Sequence, residues 1–161
     1  MRLLPVSPTR PPKLADRDAK PPRDLPRGDE LKALLADELA RLEALQAVFY
    51  ADGRRALLVV LQGRDASGKD GTIRTVFGAC NPQGCHITNF KTPSHLELSH
   101  DYLWRVHQAV PARGMIGIFN RSHYEDVLVV RVRELVPRAT WSARYRQIND
   151  IERHLSENGV V

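Results

Sequence analysis

The chain predicts an α/β fold in which helices flank a parallel sheet and one strand feeds a phosphate-binding loop. Three observations carry that expectation. Residues Leu57 to Thr72 read LLVVLQGRDASGKDGT, an apolar run entering a Gly-x-x-x-x-Gly-Lys loop that opens a helix. Apolar, β-branched runs then alternate with helix-period segments along the chain. A polar block, Asn120-Arg121-Ser122-His123-Tyr124-Glu125-Asp126, follows one such run, at the strand end where open parallel sheets place their ligands.

Met1 to Gly28 carries Arg2, Arg10, Lys13, Arg17, Lys20, Arg23 and Arg27 among closely spaced prolines. Proline at that density prevents helix and ladder formation, so the segment reads as an extended arm. It lies on the domain, recruits an anionic chain, or is simply solvated. Asp29 or a neighbour caps a helix to about Tyr50, whose stripe of Leu31, Leu34, Leu35, Leu39, Leu42, Leu45 and Val48 reads as core packing. Asp52-Gly53 ends it, and Ala56 to Leu61 is the first strand. The helix opening at Asp70 to Phe77 runs to about Cys80 and closes at Asn81-Pro82-Gln83-Gly84. Cys85 to Phe90 is the second strand of a strand–helix–strand unit.

Lys91-Thr92-Pro93-Ser94 leads into one helix reaching Val110, and Pro111 to Gly114 turns into a buried strand, Met115 to Phe119. Val127 to Leu135 could be strand or helix by composition, and its place after a strand-end loop favours helix. Pro137 closes it, and Thr140 to Asn158 forms a further helix stopped by Gly159. Val160 and Val161 read as the first residues of another parallel strand.

At 161 residues, with 42% hydrophobic and 27% charged content, the chain suits one globular domain able to bury a core. No apolar run reaches membrane-spanning length and the N-terminus lacks a signal peptide's apolar centre, so a cytoplasmic protein without a membrane partner is expected. Cys80 and Cys85 lack Cys-x-x-Cys spacing and read as reduced thiols in or near the core. The formal charge of +5 and pI near 9.6 point to a polyanionic partner. Nucleotide, inorganic polyphosphate, nucleic acid and an acidic surface all satisfy charge alone.

The loop chemistry is more specific. Gly63 and Gly68 let backbone N–H groups turn toward an anion, Lys69 supplies charge for terminal phosphates, and the helix N-terminus adds its positive end. Asp70 stands where Ser or Thr usually holds magnesium, and Asp65 sits inside the loop. A carboxylate beside a polyphosphate repels it unless a cation lies between them, so Asp65 is a candidate metal ligand, with turn capping as the alternative. Thr72 could donate its hydroxyl to a phosphate. A nucleotide site also needs a polar or acidic group at a neighbouring strand end, for which Asn120, Glu125 and Asp126 are candidates. Arg121 could stabilise a transferring phosphoryl group, or form a surface ion pair. Helix capping competes for one of Glu125 and Asp126.

Together GRDASGKDGT, FKTPS, HDYLWR and FNRSHYEDVLVVRV resemble the polyphosphate kinase 2 family from about Leu31 to the last residue. The NRSHYED form resembles the branch that phosphorylates both nucleoside mono- and diphosphates. The resemblance implies a thymidylate-kinase-like P-loop fold and magnesium-assisted phosphoryl transfer between inorganic polyphosphate and a nucleotide. By position, Asp65 would hold metal, Lys69 the phosphates and Arg121 the moving phosphoryl group, while Glu125 or Asp126 would orient metal or acceptor. Gly63, Arg64, Gly68, Asp70, Gly71, Thr72, Lys91, Asn120 and Arg133 would line the phosphate and nucleotide path. His100 and Asp101 match the family pattern, and a helix-buried hydrogen-bonded pair would explain them equally. Nucleic acid is not an expected partner, and full-length members form homo-oligomers.

The family pattern continues beyond the point matching Val161, with further strands and a basic lid. Residues 29–161 are therefore expected to be a phosphotransferase domain lacking its lid and last strands, a fragment or prematurely ended reading frame whose site cannot close against water. An ATP-dependent small-molecule or nucleotide kinase and a non-catalytic polyphosphate-binding module are the rival readings.

Overall fold

The computed structural model describes residues 24–161, so the expected N-terminal arm lies outside the described residues as far as Arg23. Two compact units divide the chain, one ending at Ala36 and the other covering Asp37–Val161. Helix α1 (Gly28–Asp52) begins in the first. Asp29 and Glu30 fall in its first turn, where a carboxylate complements the helix dipole, and Lys32 pairs with Asp29 at 2.8 Å. Leu31, Leu34 and Leu35 are exposed there rather than packed.

Within the second unit, β1 (Leu57–Leu61), β2 (Cys85–Asn89) and β3 (Ile116–Asn120) form a parallel sheet in the order β1-β3-β2. Between them lie α2 (Lys69–Val76), α3 (His95–Leu98) and α4 (Trp104–Ala109), and α5 (Glu125–Val132) and α6 (Arg138–Glu157) follow. β3 occupies the centre and is the apolar run buried on both faces. One face carries Ile116 and Ile118 with Leu57, Val59 and Leu61 of β1, packed against Ile73, Phe77 and Phe49. The other carries Phe119 with Leu58 and Val60, packed against Phe90, Val106 and Ile151. Alternation along β1 thus sends neighbouring side chains to two different helix layers.

Val160 bridges Ala56 in parallel, and Leu58 N donates to Val161 O at 2.8 Å. Leu57 N donates to Met115 O, toward β3, so the two valines lie along the opposite edge of β1, as strand-like as their sequence predicts.

Three expectations change. The packed face of α1 in the second unit is Leu39, Leu42, Gln46 and Phe49, whereas Leu45 and Val48 are exposed. Gln46 earns its buried place through its amide, which donates to Asn81 O at 3.0 Å and accepts from Asn81 N at 2.8 Å. The single helix expected over Ser94 to Val110 is two, broken at Ser99–Leu103. Ser99 Oγ donates back to Leu96 O, and Asp101 Oδ1 accepts from Leu103 N at 2.9 Å, so local side-chain bonds replace the helical ladder. His100 and Asp101 are exposed, not a buried pair, and His100 stacks on Trp104 at 4.2 Å.

Both cysteines are free thiols, and burial followed by the neighbouring Cys80 pushes Cys85 up to about 11. No helix among the described residues is long and apolar enough to cross a membrane.

Candidate functional site

The sheet register sets the site. Leu61 and Asn89 both pair with Asn120, so all three strands end level and release their loops along one edge. β1 releases Gln62 and the phosphate loop, β2 releases Phe90 and Lys91, and β3 releases Arg121. The ladder runs one step further, because Arg121 N donates to Leu61 O and Phe90 N to Asn120 O, each at 3.0 Å.

The loop from Gly63 to Gly68 is exposed, and Lys69 folds over it. Lys69 Nζ donates to Gly63 O at 2.9 Å and Arg64 O at 2.8 Å, so the ammonium sits on the cradle's own carbonyls. Gly68 has φ +91°, a left-handed conformation that places it at the entry to α2, and a Cβ on Gly63 would meet Ser67 Oγ at 2.8 Å. Gly68 is thus required by the turn's left-handed backbone, whereas a side chain at Gly63 would displace only the Ser67 hydroxyl. Thr72 is exposed, and its N–H closes the first helical turn on Gly68 O at 2.9 Å.

Arg121 reaches across to the loop and donates to Asp65 Oδ1 at 2.5 Å. Its backbone is held at φ +61°, a conformation rare for a residue with a Cβ, and one that concentrates at functional sites. Asn120 Nδ2 donates both to Asp70 Oδ1 at 2.7 Å and to Asn89 Oδ1 at 2.9 Å, tying the first turn of α2 to the ends of β2 and β3. Glu125 accepts from Gln62 Nε2 at 2.6 Å, and Gln62 in turn accepts from Ser122 Oγ at 3.0 Å. Gln62, Gly63, Arg64, Asp65, Arg121, Glu125 and Arg133 line one cavity of about 380 Å³. A second cavity, of about 570 Å³, opens at Leu57, the opposite end of β1, away from these groups.

Asp126 is not part of that cavity. It is 8% exposed and faces inward, where Arg105 Nη2 lies 3.3 Å and Arg144 Nη1 3.4 Å from its carboxylate. Burial raises its carboxyl above the ordinary range and the two guanidiniums pull against that shift. Its oxygens are taken by arginines, which leaves Asp65 and Glu125 as the carboxylates lining the cavity. Lys91 is exposed, and its carbonyl accepts from Arg105 Nη1 at 2.9 Å. Among the described residues no group of three or more His, Cys, Asp or Glu side chains converges to hold a metal.

Beside the site, His123 is buried with Nε2 3.2 Å from Glu152 Oε1, and Tyr124 donates its hydroxyl to the same oxygen. Nε2 faces the acceptor-only Glu152 carboxylate and so donates to it, while His123 Nδ1 has no partner among the described residues. The His123 bond, opposed by burial and helped by Tyr124, holds the Glu152 carboxyl below its usual 4.5. A depressed carboxyl adds stability above its unfolded value and loses it as pH falls through the folded one. Glu152→Gln is therefore expected to flatten the loss of urea stability between about pH 5 and pH 3. An unchanged slope would show that the Glu152 contacts are equally available to the unfolded chain.

Sequence reasoning missed Gln62, Asn89, Arg105 and Glu152. The first two had a signal, a polar residue ending an apolar strand, and Arg105 stood within the HDYLWR block. Glu152 is one polar residue among many on α6 and carried none.

The family Polyphosphate kinase 2 (PPK2) matches residues 27–161. The AMP/ADP-polyphosphate phosphotransferase of Meiothermus ruber is 58% identical over 121 residues, covering 75% of this chain and 45% of that protein. The ADP-polyphosphate phosphotransferase of Rhodopseudomonas palustris is 48% identical over 139 residues, 79% of this chain and 48% of that one. The crystal structure of polyphosphate kinase 2 from Arthrobacter aurescens TC1 superposes with a TM-score of 0.82 at 42% identity, covering 94% of this chain and 56% of that chain. The chain thus spans about half the length of the relatives it matches. A parallel sheet with a phosphate loop at its carboxyl edge, matched in sequence and in fold, means that the chain belongs to the polyphosphate kinase 2 family.

Proposed function

We propose that the chain carries the phosphate-handling site of a nucleotide phosphotransferase that moves a phosphoryl group between inorganic polyphosphate and a nucleoside mono- or diphosphate. The observation that carries this reading is the Arg121–Asp65 contact, which joins the phosphate loop to the β3 end across an arginine-lined cavity. The relatives named as polyphosphate phosphotransferases support it. Lys69 leaves the loop carbonyls for the phosphates at the transfer point, and Arg64, Lys91 and Arg133 track the remaining oxygens. Arg121 meets the charge spread over the transferring group. Glu125, aimed by Gln62, orients the acceptor, and Asn120 fixes Asp70 beside the loop. No covalent intermediate is required, because in-line positioning and charge neutralisation suffice.

Magnesium fits the residues present. It ordinarily takes one or two carboxylates plus substrate phosphate oxygens rather than an all-protein cage, and Asp65 is an exposed carboxylate on the loop. When bound, the ion neutralises negative charge on the phosphate oxygens. Asp126 has a positioning role in this reading, through the arginines that hold it. A cytoplasmic setting and homo-oligomeric assembly belong to the same proposal.

The test is donor exchange. With magnesium and AMP as acceptor, polyphosphate is expected to yield ADP at least about tenfold faster than ATP does. Product from ATP but not polyphosphate would favour the small-molecule kinase. Salt-sensitive polyphosphate binding without any nucleotide product would favour the binding module.

A further inference from the structure

We propose that Arg105 is a positioning residue for anion binding, holding the main chain at Lys91 so that the Lys91 ammonium is presented to the phosphate chain. This rests on the reading of Lys91 as a phosphate contact. Arg105 sits on α4 and is 9% exposed, too buried to meet a substrate itself. Its two terminal nitrogens divide their work. Nη1 donates to Lys91 O at 2.9 Å, and Nη2 to Asp126 Oδ2 at 3.3 Å.

Other contacts prevent the guanidinium from turning. It lies over the Phe90 ring, 5.3 Å from the centroid, and Glu97 Oε1 is 3.9 Å from Nη1. Glu97 is itself pinned by its capping box with Ser94 at the start of α3. Arg144 holds Asp126 from the far side, donating to its main-chain oxygen at 3.0 Å. The planar fork therefore ties the exit of β2 to the first turn of α5, four residues beyond β3's own exit at Arg121. Lys91 has only its backbone N–H bond to Asn89 O, at 3.1 Å, as a second main-chain restraint. A lysine at position 105 would keep the charge but could not serve both acceptors in that geometry.

The experiment is a double-mutant cycle on the full 161-residue chain, with binding of inorganic tripolyphosphate measured by calorimetry across a salt series. Lys91→Ala is expected to weaken binding about tenfold and to make the log-affinity against log-salt slope shallower by about one. Arg105→Lys is expected to weaken binding about fivefold with the same change in slope, and the double variant to bind within about twofold of Lys91→Ala alone. Arg105→Gln, shorter and uncharged, gives the same comparison should Arg105→Lys fail to fold. Wild-type affinity in both Arg105 variants, or a further full loss in the Lys91→Ala background, overturns the proposal, since a purely structural arginine would weaken binding whether or not Lys91 is present. Wild-type affinity in Lys91→Ala would instead remove the phosphate role of Lys91, and the proposal with it.

Discussion

Replacing Arg121 with alanine is expected to slow phosphoryl transfer from polyphosphate by about 10³-fold, the scale on which a guanidinium stabilises a transferring phosphoryl group. The fold should tolerate the change. The Arg121 side chain is 42% exposed and its partner Asp65 85% exposed, so their contact is a solvated ion pair that contributes about 0–1 kcal/mol. Alanine also keeps a Cβ, so the left-handed backbone at φ +61° is strained equally before and after. The loss should therefore appear in turnover rather than in stability. If the guanidinium acts only on the charge that develops during transfer, kcat and kcat/KM fall together. A rise in KM with kcat unchanged would assign Arg121 to ground-state binding instead. Arg121→Lys discriminates further, because it retains charge without the bidentate fork and should recover only part of the rate. Steady-state kinetics against polyphosphate, beside urea unfolding of the same variants, decides between these outcomes. Transfer at the wild-type rate in Arg121→Ala would reduce the residue to a surface partner for Asp65.

The contrast between Asp65 and Asp126 shows where sequence stops informing about this site. Both are carboxylates in short, polar, glycine- or strand-adjacent segments, Asp65 reading as a candidate metal ligand and Asp126, with Glu125, as a group that orients metal or acceptor. Asp65 precedes a glycine-rich turn, which exposes whatever it carries, and it does end in the cavity. Asp126 lies in the first turn of α5, and the direction in which that turn faces depends on α4 and α6, which contribute Arg105 and Arg144 from 21 and 18 residues away. No local pattern encodes such a contact. The phosphate loop was legible because strand, turn glycines and helix start are consecutive, and their physics is local. The central place of β3 was legible only as a continuous apolar run, since the strand order β1-β3-β2 is set by packing. α1 failed in an instructive way. Its leucines recur at helical spacing, yet the buried position is Gln46, because an amide that satisfies both backbone groups of Asn81 outcompetes a leucine for that place. The break between α3 and α4 is signalled by Ser99 and Asp101, residues that compete with the helical ladder, and the apolar spacing around them concealed it.

Asp126→Ala is expected to destabilise the domain by about 3–5 kcal/mol, the cost of leaving buried positive charge without its partner. Arg105 and Arg144 have side chains only 8% and 14% exposed, the first packed over the Phe90 ring and the second over the Tyr102 ring. The intact pair need not itself be strongly stabilising. Burial raises the Asp126 carboxyl even against two guanidiniums, so much of their attraction is spent on desolvation. A raised folded value means that this group's own contribution is fully present below its unfolded value and declines as pH rises through the folded one. The alanine deficit at neutral pH therefore reflects the two stranded guanidiniums and does not imply that the ion pair drives folding. Asp126→Asn separates the two ideas, because the amide keeps one acceptor oxygen for Arg105 and removes only the charge. It should cost less than the alanine variant, by roughly 1–2 kcal/mol. Urea unfolding of both variants measures the difference. If alanine costs less than about 1 kcal/mol, the arginines have found water or other acceptors, and Asp126 cannot be the group that holds α4 and α6 against α5.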